Sequence, residues 1–181
     1  RIEKLGLRLK QGVDFDLTNL DDDPRFNDYW QHYLQIMERH GVTPSAAKAI
    51  VRSRSAVVAA LMLKRGEVDA MLCGIVGKYQ GKLKHVINII GIDPNVSCIS
   101  ALSVVISDKG PLFFTDTHVQ NQPNAEQIAE ATLQAAYRMK LFGIVPKVAL
   151  VCHSNFGTSE AASAKKLREA LQLILAKSPR L

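Results

Sequence analysis

The chain has 181 residues, of which 47% are hydrophobic and 22% charged, and this composition excludes a largely disordered chain. Its formal net charge of +6 would allow a polyanionic partner, but the cations are spread among amphipathic segments and no nucleic-acid-binding motif accompanies them. No apolar run is long enough to span a bilayer and the N-terminus lacks a secretory signal, so we expect a cytoplasmic protein with neither membrane nor nucleic-acid contact.

The first third of the chain is predicted to form one strand and two helices. Residues 13–17 alternate as a short strand, and the acidic run at 21–24 then caps a helix that continues through His40. Thr43, followed by Pro44, is the predicted N-cap of a second, largely buried helix that ends near Gly66.

A continuous apolar run follows at 70–76 and predicts a strand buried on both faces. Residues 77–85 are rich in glycine and carry three lysines, and they begin a helix that runs to Ile90. This basic helix start can face a phosphate, although a solvated helix N-terminus is an equally good interpretation.

The second half of the chain predicts a hairpin, two helices and one further strand. The hairpin comprises 97–107 and 112–115, and Pro123 and Asn124 begin a long amphipathic helix that reaches about Phe142. An apolar strand is predicted at 147–152, and the last helix at 161–177.

Cysteines and aromatic residues both favour structural interpretations. Cys73, Cys98 and Cys152 lie in apolar runs without metal-ligand spacing, which predicts buried free thiols. Trp30 shares a predicted helix with two tyrosines, and this patch is more typical of core or subunit packing than of cofactor binding.

The segment 147–159 reads as an apolar strand, a polar glycine-containing loop and then a helix, a pattern by which α/β proteins present N–H groups to anions. Helix capping by the same Ser, Asn and Thr oxygens explains the pattern equally well. Asp116 is interpreted either as a ligand-orienting group or as a hydrogen-bonded turn, and His118 and His153 as structural or exposed. The candidate ligand-binding residues are Lys78, Lys82, Lys84, Asp116, Asn121, Ser154, Asn155, Gly157, Thr158 and Ser159.

Several phrases taken together resemble the phosphate acetyl/butyryltransferase family, and in detail the phosphotransacetylase-like C-terminal domain of large bacterial NADP-dependent malic enzymes. The phrases that carry the resemblance are 39–44, 61–70, 73–74, 110–121, 123–130 and 147–159. The resemblance implies a three-layer α/β/α fold of the isocitrate/isopropylmalate dehydrogenase type, with a mixed sheet and a hairpin. It also implies a fragment, incomplete at both ends, in which residues 1–92 and 93–181 are parts of two α/β subdomains.

The same resemblance implies a regulatory and oligomerisation domain that senses acetyl-CoA, attached to an N-terminal malic enzyme domain that uses NADP and Mg²⁺ or Mn²⁺. A homodimer or higher homo-oligomer is expected, and the 125–142 helix could contribute to the contact. Within the segment we expect no cofactor and no metal site, because no G-x-G-x-x-G fingerprint or carboxylate cluster is present and Asp21–Asp23 is interpreted as helix capping. We expect no catalytic residue, because the resemblance implies that the family's catalytic Ser-Arg pair and a key Asp belong to a segment absent here.

Two family positions depart from arginine. Lys84 and Met37 stand where the resembled family binds substrate with arginine, and Arg39 is the nearest cation to Met37. Lysine is a point charge and methionine has none, which disfavours acetyl-phosphate chemistry. The alternatives are a fragment of an active phosphate acetyltransferase and a structural dimerisation domain without a ligand.

Overall fold

The computed structural model describes residues 2–74 and 76–181, apart from the Glu3 side chain, and divides the chain into two compact units, Arg1–Gly91 and Ile92–Leu181. This division lies beside the predicted boundary, while the assignment of the parts to two phosphotransacetylase subdomains stays a prediction. The first unit contains α1 (Phe26–Met37), α2 (Pro44–Ser53), α3 (Ser55–Lys64) and α4 (Tyr79–Ile90), with one-turn 3-10 helices at Glu3–Leu5 and Glu38–His40. The second contains β1 (Leu102–Ser107), β2 (Gly110–Thr115), α5 (Ala125–Leu141) and α6 (Ala162–Lys177), with a 3-10 turn at Asn155–Gly157.

The core of the first unit lies among its four helices. Helix α1 packs on α2, and α3 packs on α4, around the fully buried side chains Tyr29, Val51, Val57, Leu61 and Ile89. Tyr29 and Tyr33 are therefore core residues, as the packing interpretation predicted. Trp30 is only partly buried; the Lys48 ammonium lies 4.4 Å from its ring centroid in a cation–π contact.

The helix predicted from Thr43 to Gly66 is two helices. Thr43 is the N-cap, as predicted, and its hydroxyl accepts the Ala46 N–H at 3.3 Å. Arg54 leaves the helical conformation (φ −125°, ψ 90°) and separates α2 from α3. Ser53 and Ser55 flank this break, and serine hydroxyls compete with the backbone for hydrogen bonds; the Ser53 hydroxyl donates to the Ile50 carbonyl at 3.5 Å.

Helix α1 begins later than predicted, at Phe26, and Arg25 is its N-cap. Asp23 lies just before the helix and binds its N-cap residue: the Asp23 carboxylate accepts the Arg25 N–H at 2.9 Å and pairs with the Arg25 guanidinium at 2.8 Å. Arg25 and Arg65 also pair with Glu67, whose carboxylate accepts the Tyr29 hydroxyl at 2.6 Å. This network joins the end of α3 to α1.

Two strand predictions in the first unit are wrong. Residues 12–14 form a turn, Gln11 and Phe15 make one isolated bridge, and 16–17 have no regular secondary structure. Of the predicted strand 70–76, residue 75 lies outside the described residues and 70–74 have no regular secondary structure. Leu72 is completely exposed and Cys73 is exposed, so the predicted burial of that thiol is also wrong. Apolar composition favours a strand, but a buried strand forms only when neighbouring strands satisfy its N–H and C=O groups, and no strand among the described residues pairs with this segment.

The second unit contains the only sheet in the described part of the chain, an antiparallel pair of β1 and β2. The predicted hairpin is confirmed, with Val104 opposite Phe113 and a two-residue connection at 108–109. Its first strand begins at Leu102 rather than at 97, and its second at Gly110 rather than at 112. Helix α5 begins at the predicted place with a full capping box, in which Asn124 accepts the Gln127 N–H and the Gln127 side chain accepts the Asn124 N–H. Helix α6 packs on α5.

A third predicted strand, at 147–152, is also wrong, since 144–152 carry no regular secondary structure. Val148 and Val151 are 44% and 85% exposed. No strand among the described residues pairs with this segment, so it lacks the ladder that defines a strand.

The segment before the hairpin is anchored on α5. The Glu130 carboxylate accepts the Ser97 N–H at 2.8 Å, the Ser97 hydroxyl and the Cys98 N–H at 3.4 Å. These donors, led by the Ser97 hydroxyl, hold the pKa of Glu130 below its usual value. Cys98 is buried as predicted, while Cys152 is half-buried.

Candidate functional site

The loop after residue 152 closes on itself through its own hydroxyl groups. The Ser154 hydroxyl oxygen accepts the Ser159 N–H at 2.9 Å, and the Ser159 hydroxyl oxygen accepts the Ala161 N–H at 3.1 Å. Thr158 donates its N–H and its hydroxyl to the Asn155 carbonyl, at 3.3 and 3.0 Å. The structure therefore brings the five predicted loop residues together, with the serine and threonine hydroxyls already used in closing the turn.

Arg168, which the sequence did not indicate, fixes this loop to α6. Its guanidinium donates to the carbonyls of Gly157 and Ser159, the latter at 2.7 Å, and pairs with Glu160 at 3.2 Å. Side chains on a helix lean towards its N-terminus, so an arginine two turns into α6 reaches back to the loop before it. The position of an arginine about two turns after the predicted start of the last helix was therefore the sequence signal that could have identified Arg168.

Phe156 stands at the tip of the loop in a conformation that is unusual for its size. Its φ of 54° is left-handed, Gly157 follows at φ 70°, and the phenyl side chain is fully exposed. The left-handed conformation destabilises a residue with a bulky side chain by about 1–2 kcal/mol, because its Cβ crowds the backbone. Strain of this kind is often found at ligand-binding loops, which makes the backbone of 155–157 the part of the loop to test for ligand contact.

Asp116 is engaged in bracing the backbone. Its carboxylate accepts N–H groups from Ala101 at 2.9 Å, Val119 at 3.4 Å and Gln120 at 2.7 Å. Of the two interpretations of this residue, the observed bonds are those of the hydrogen-bonded turn. Asn121 lies exposed in the segment that leads to α5.

The three candidate lysines lie on or beside α4, in the first unit, whereas the loop belongs to the second. Exposed Lys78 is the N-cap, and the Lys82 N–H donates to its carbonyl at 3.4 Å. No acidic residue occupies the first turn of α4. A cation near the positive end of a helix dipole destabilises the helix by about 0.3–1 kcal/mol. A bound anion would offset this repulsion.

Lys84 lies exposed on the second turn of α4, beside a histidine. Burial and the charges of Arg54 and Lys84 lower the pKa of His85. Met37, the other departure, is buried in the core of the first unit, and Arg39 beside it is exposed in the 3-10 turn. A side chain in the position of Met37 therefore packs against apolar neighbours.

His118 and His153 are both exposed, and the nearest side-chain partner of the His153 ring is the Ser163 hydroxyl at 3.5 Å. A long contact of this kind does not activate a nucleophile. Within the described ranges, no three His, Cys, Asp or Glu side chains are grouped so as to hold a metal ion, and no helix has the length and apolarity needed to cross a bilayer.

The second unit also contains an open cavity of about 550 Å³ that the sequence did not predict. Strand β2, helix α5 and the segment 145–151, which has no regular secondary structure, line it. Gln120 lies on its wall; the side-chain amide donates to the Ile99 carbonyl at 3.1 Å, and the buried side-chain oxygen has no partner among the described residues. An unpartnered buried acceptor indicates a missing donor.

The comparison with family models decides the family. The model described as phosphate acetyl/butaryl transferase matches residues 1–181, which is the whole chain. The chain belongs to this family. The resemblance drawn from the sequence is confirmed.

Curated relatives of this phosphate acetyl/butaryl transferase chain fall into two groups. It is 45% identical over 181 residues to the NADP-dependent malic enzyme of Escherichia coli and 47% identical over 179 residues to the NAD-dependent malic enzyme of Rhizobium meliloti, covering 100% and 99% of the chain. It is 31% identical over 172 residues, 92% of the chain, to the phosphate acetyltransferase of Synechocystis. The chain spans only 24%, 23% and 24% of these relatives, about a quarter of each.

A solved structure, the EutD phosphotransacetylase from Staphylococcus aureus, matches with a TM-score of 0.73 and 20% identity, over 98% of this chain and 52% of that chain. The predicted α/β, phosphotransacetylase-like fold is therefore confirmed. The malic enzyme relatives match at the level of a domain within a larger protein, as the resemblance implied.

Proposed function

We propose that this chain is a phosphotransacetylase-like regulatory and oligomerisation domain of a malic enzyme, and that it senses acetyl-CoA. One observation carries the proposal: identity to malic enzymes reaches 45% across all 181 residues, against 31% to a phosphate acetyltransferase. The oxidative decarboxylation of malate, with NADP and Mg²⁺ or Mn²⁺, would belong to an N-terminal domain of the same polypeptide. A cytoplasmic location and homo-oligomerisation are parts of this proposal.

The two departures from arginine support sensing over turnover. Transfer of an acetyl group to phosphate requires that the phosphate oxygens be held in fixed positions. The planar guanidinium of arginine does this better than the ammonium group of lysine. Lys84 keeps a charge without that fork, and Met37 is committed to the core. Binding of an anionic ligand can survive such changes, because charge attraction does not require one geometry.

Each unit offers its own candidate group for binding acetyl-CoA, and each group is proposed by itself. In the second unit the N–H groups at 155–157 would approach phosphate or acyl oxygens, and in the first unit Lys78, Lys82 and Lys84 would neutralise phosphate charge. In this proposal the hydroxyls of Ser154, Thr158 and Ser159 shape the loop, and Asp116 and Asn121 belong to the segment that leads to α5.

The test is a titration of the chain with acetyl-CoA by calorimetry, together with two activity measurements on the polypeptide that joins it to the malic domain. We expect saturable binding, a malate oxidation rate that changes with acetyl-CoA, and no acetyl transfer from acetyl phosphate to CoA. Lys84→Met should weaken acetyl-CoA binding at least fivefold. Lys109→Met, an equal loss of charge at the hairpin turn, is the matched control and should leave affinity unchanged.

An active phosphate acetyltransferase is the second candidate, favoured by the solved EutD phosphotransacetylase fold and by the Synechocystis relative. Robust acetyl transfer in the same assays would replace the sensing proposal with this one. If acetyl-CoA does not bind and neither rate responds, the domain is a structural dimerisation module.

A further inference from the structure

The phenyl ring of Phe156 contributes nothing to the packing of the chain. The side chain is fully exposed, and among the described residues it has neither the ring partner that Phe113 has nor the cation that lies over Trp30. An aromatic side chain stabilises a fold by removing its large apolar surface from water. A ring that stays in water does not do this, so the fold gives no reason for phenylalanine at this position.

The backbone at Phe156 is also unfavourable for this residue type. Its φ of 54° lies in the left-handed region, which glycine and asparagine adopt more readily than a bulky residue does. A loop shaped for stability alone would carry one of those two residues here. Phenylalanine is present against both the exposure and the conformation, which indicates that its ring serves a contact with another molecule.

The loop holds this ring in a fixed place. The Arg168 guanidinium donates to the carbonyls of Gly157 and Ser159, just after the ring. Helix α6 also contacts the 155–157 turn. A group that is ordered before binding loses little conformational entropy when a ligand settles on it.

The surroundings of Phe156 favour a flat ligand over a protein partner. Across residues 152–170, all of which the structure describes, Phe156 is the only large hydrophobic side chain that is exposed. The core of a protein interface needs a contiguous apolar patch, which this loop does not offer. Stacking of a heteroaromatic base needs only one exposed ring, and polar neighbours do not prevent it.

The chain around this loop is positively charged. Residues 152–168 include three cations and one carboxylate. Lys165 pairs with Glu160 at 3.0 Å, whereas Lys166 forms no ion pair in the part of the chain that the structure describes. An aromatic ring for a base, with net positive charge beside it for phosphates, is the combination that suits a nucleotide.

We propose that the Phe156 ring stacks on the adenine of acetyl-CoA and makes this loop specific for the nucleotide end of the ligand. The inference rests on the acetyl-CoA sensing proposed above and deepens it. With the adenine on Phe156, the N–H groups at 155–157 face the phosphates of the ligand rather than its acyl oxygen.

The experiment is a calorimetric titration with acetyl-CoA of the polypeptide that joins this chain to the malic domain. Phe156→Leu keeps an apolar side chain without an aromatic ring, and it should weaken acetyl-CoA affinity at least fivefold, since base–aromatic stacking has an effect of about this size. Phe156→Trp keeps a ring and should bind within twofold of the unchanged protein. Tyr137→Leu removes an exposed ring from α5 and is the matched control, with no expected change in affinity.

Two further measurements separate stacking from a role in loop shape. Phe156→Asn suits the left-handed conformation, so we expect its melting temperature to be equal or higher while acetyl-CoA affinity decreases at least fivefold. The fluorescence of Phe156→Trp, after subtraction of that of Phe156→Leu, should decrease on saturation with acetyl-CoA, because adenine stacked on an indole ring quenches its emission.

Four results would overturn the inference. Unchanged acetyl-CoA affinity in Phe156→Leu would remove the stacking role and leave the sensing proposal intact, whereas an unchanged protein that does not bind acetyl-CoA would remove both. A melting temperature that falls together with affinity in Phe156→Asn would assign Phe156 to the shape of the loop. A loss of NADP affinity rather than acetyl-CoA affinity in Phe156→Leu would assign the ring to a different adenine nucleotide.

Discussion

Arg168 of α6 bonds two backbone carbonyls of the candidate loop, although it was not among the residues predicted for that loop. The loop ends where α6 begins, so its carbonyls at 157 and 159 need donors from outside the helix ladder, and one guanidinium supplies both. The sequence predicted the loop through its polar and glycine residues. It did not predict Arg168, because a single arginine on a helix is usually a solvated surface residue.

We expect Arg168→Met to lower the free energy of unfolding by about 1–2 kcal/mol, because two carbonyls lose a charged donor while the aliphatic stem is kept. Lys166→Met on the same helix is the control and should change stability by less than about 0.5 kcal/mol. Urea unfolding measures both variants, and hydrogen exchange at the Ser159 amide should increase only in the first. Equal stability of the two variants would show that the loop does not depend on this brace.

The starts of α2 and α5 were predictable because they carry explicit signals, whereas the break at Arg54 and the late start of α1 were not predicted. Thr43 with Pro44, and Asn124 with Gln127, are side-chain caps whose geometry follows from spacing alone, and both helices begin where those signals place them. The strand predicted at 13–17 rested on a short alternation, and those at 70–76 and 147–152 rested on apolar composition. Composition shows that a segment favours burial and cannot show which neighbour provides the hydrogen bonds.

The capping box of α5 gives an element-scale prediction. Asn124→Ala removes the acceptor of the Gln127 N–H, at 2.8 Å in the structure, and should lower the free energy of unfolding by about 1 kcal/mol. Asn124→Ser keeps an acceptor and should recover most of that loss, while the exposed neighbour change Gln122→Ala should have little effect. Thermal and urea unfolding of the three variants are the measurements, and a neutral Asn124→Ala would exclude the cap as a stabilising feature.

Electrostatics at the scale of the first unit make its stability depend on pH. Burial, followed by the charges of Arg65 and Lys64, lowers the pKa of His32, and burial with Arg54 and Lys84 lowers that of His85. Both histidines therefore favour the neutral form when folded. The unfolded chain binds their protons first as the pH falls below about 6.5, so stability is lost in that direction.

We expect the melting temperature to be highest above pH 6.5 and to decrease as the pH is lowered towards 5. The double variant His32→Gln and His85→Gln should show a shallower decrease over this interval. The pKa values of the Asp23 and Glu67 carboxylates are lowered in the folded chain, so these groups lose their stabilising effect only as the pH falls below their usual pKa values of 3.8 and 4.5. That pH interval is separate from the one in which the histidines titrate. A pH profile that is unchanged in the double variant would assign the dependence to other groups.

At the level of the whole molecule, the family and the α/β fold were predictable because the phrases at 110–121 and 147–159 are specific in combination. The cavity was not predictable, since it is lined by β2, by α5 and by the segment 145–151, which are separate in sequence, and a local sequence pattern carries no information about their contact. Met37 was predicted as a departure from arginine, but its burial in the core needed the structure.

Trp30 is the one tryptophan of the chain, and it lies in the first unit, under the Lys48 ammonium. Its fluorescence therefore reports the unfolding of α1 and α2, whereas circular dichroism records the helices of both units. Denaturation curves followed by the two signals will coincide if the units unfold in one cooperative step and separate if they do not. The intrinsic fluorophore thus makes the thermodynamic coupling of the two units measurable without any label.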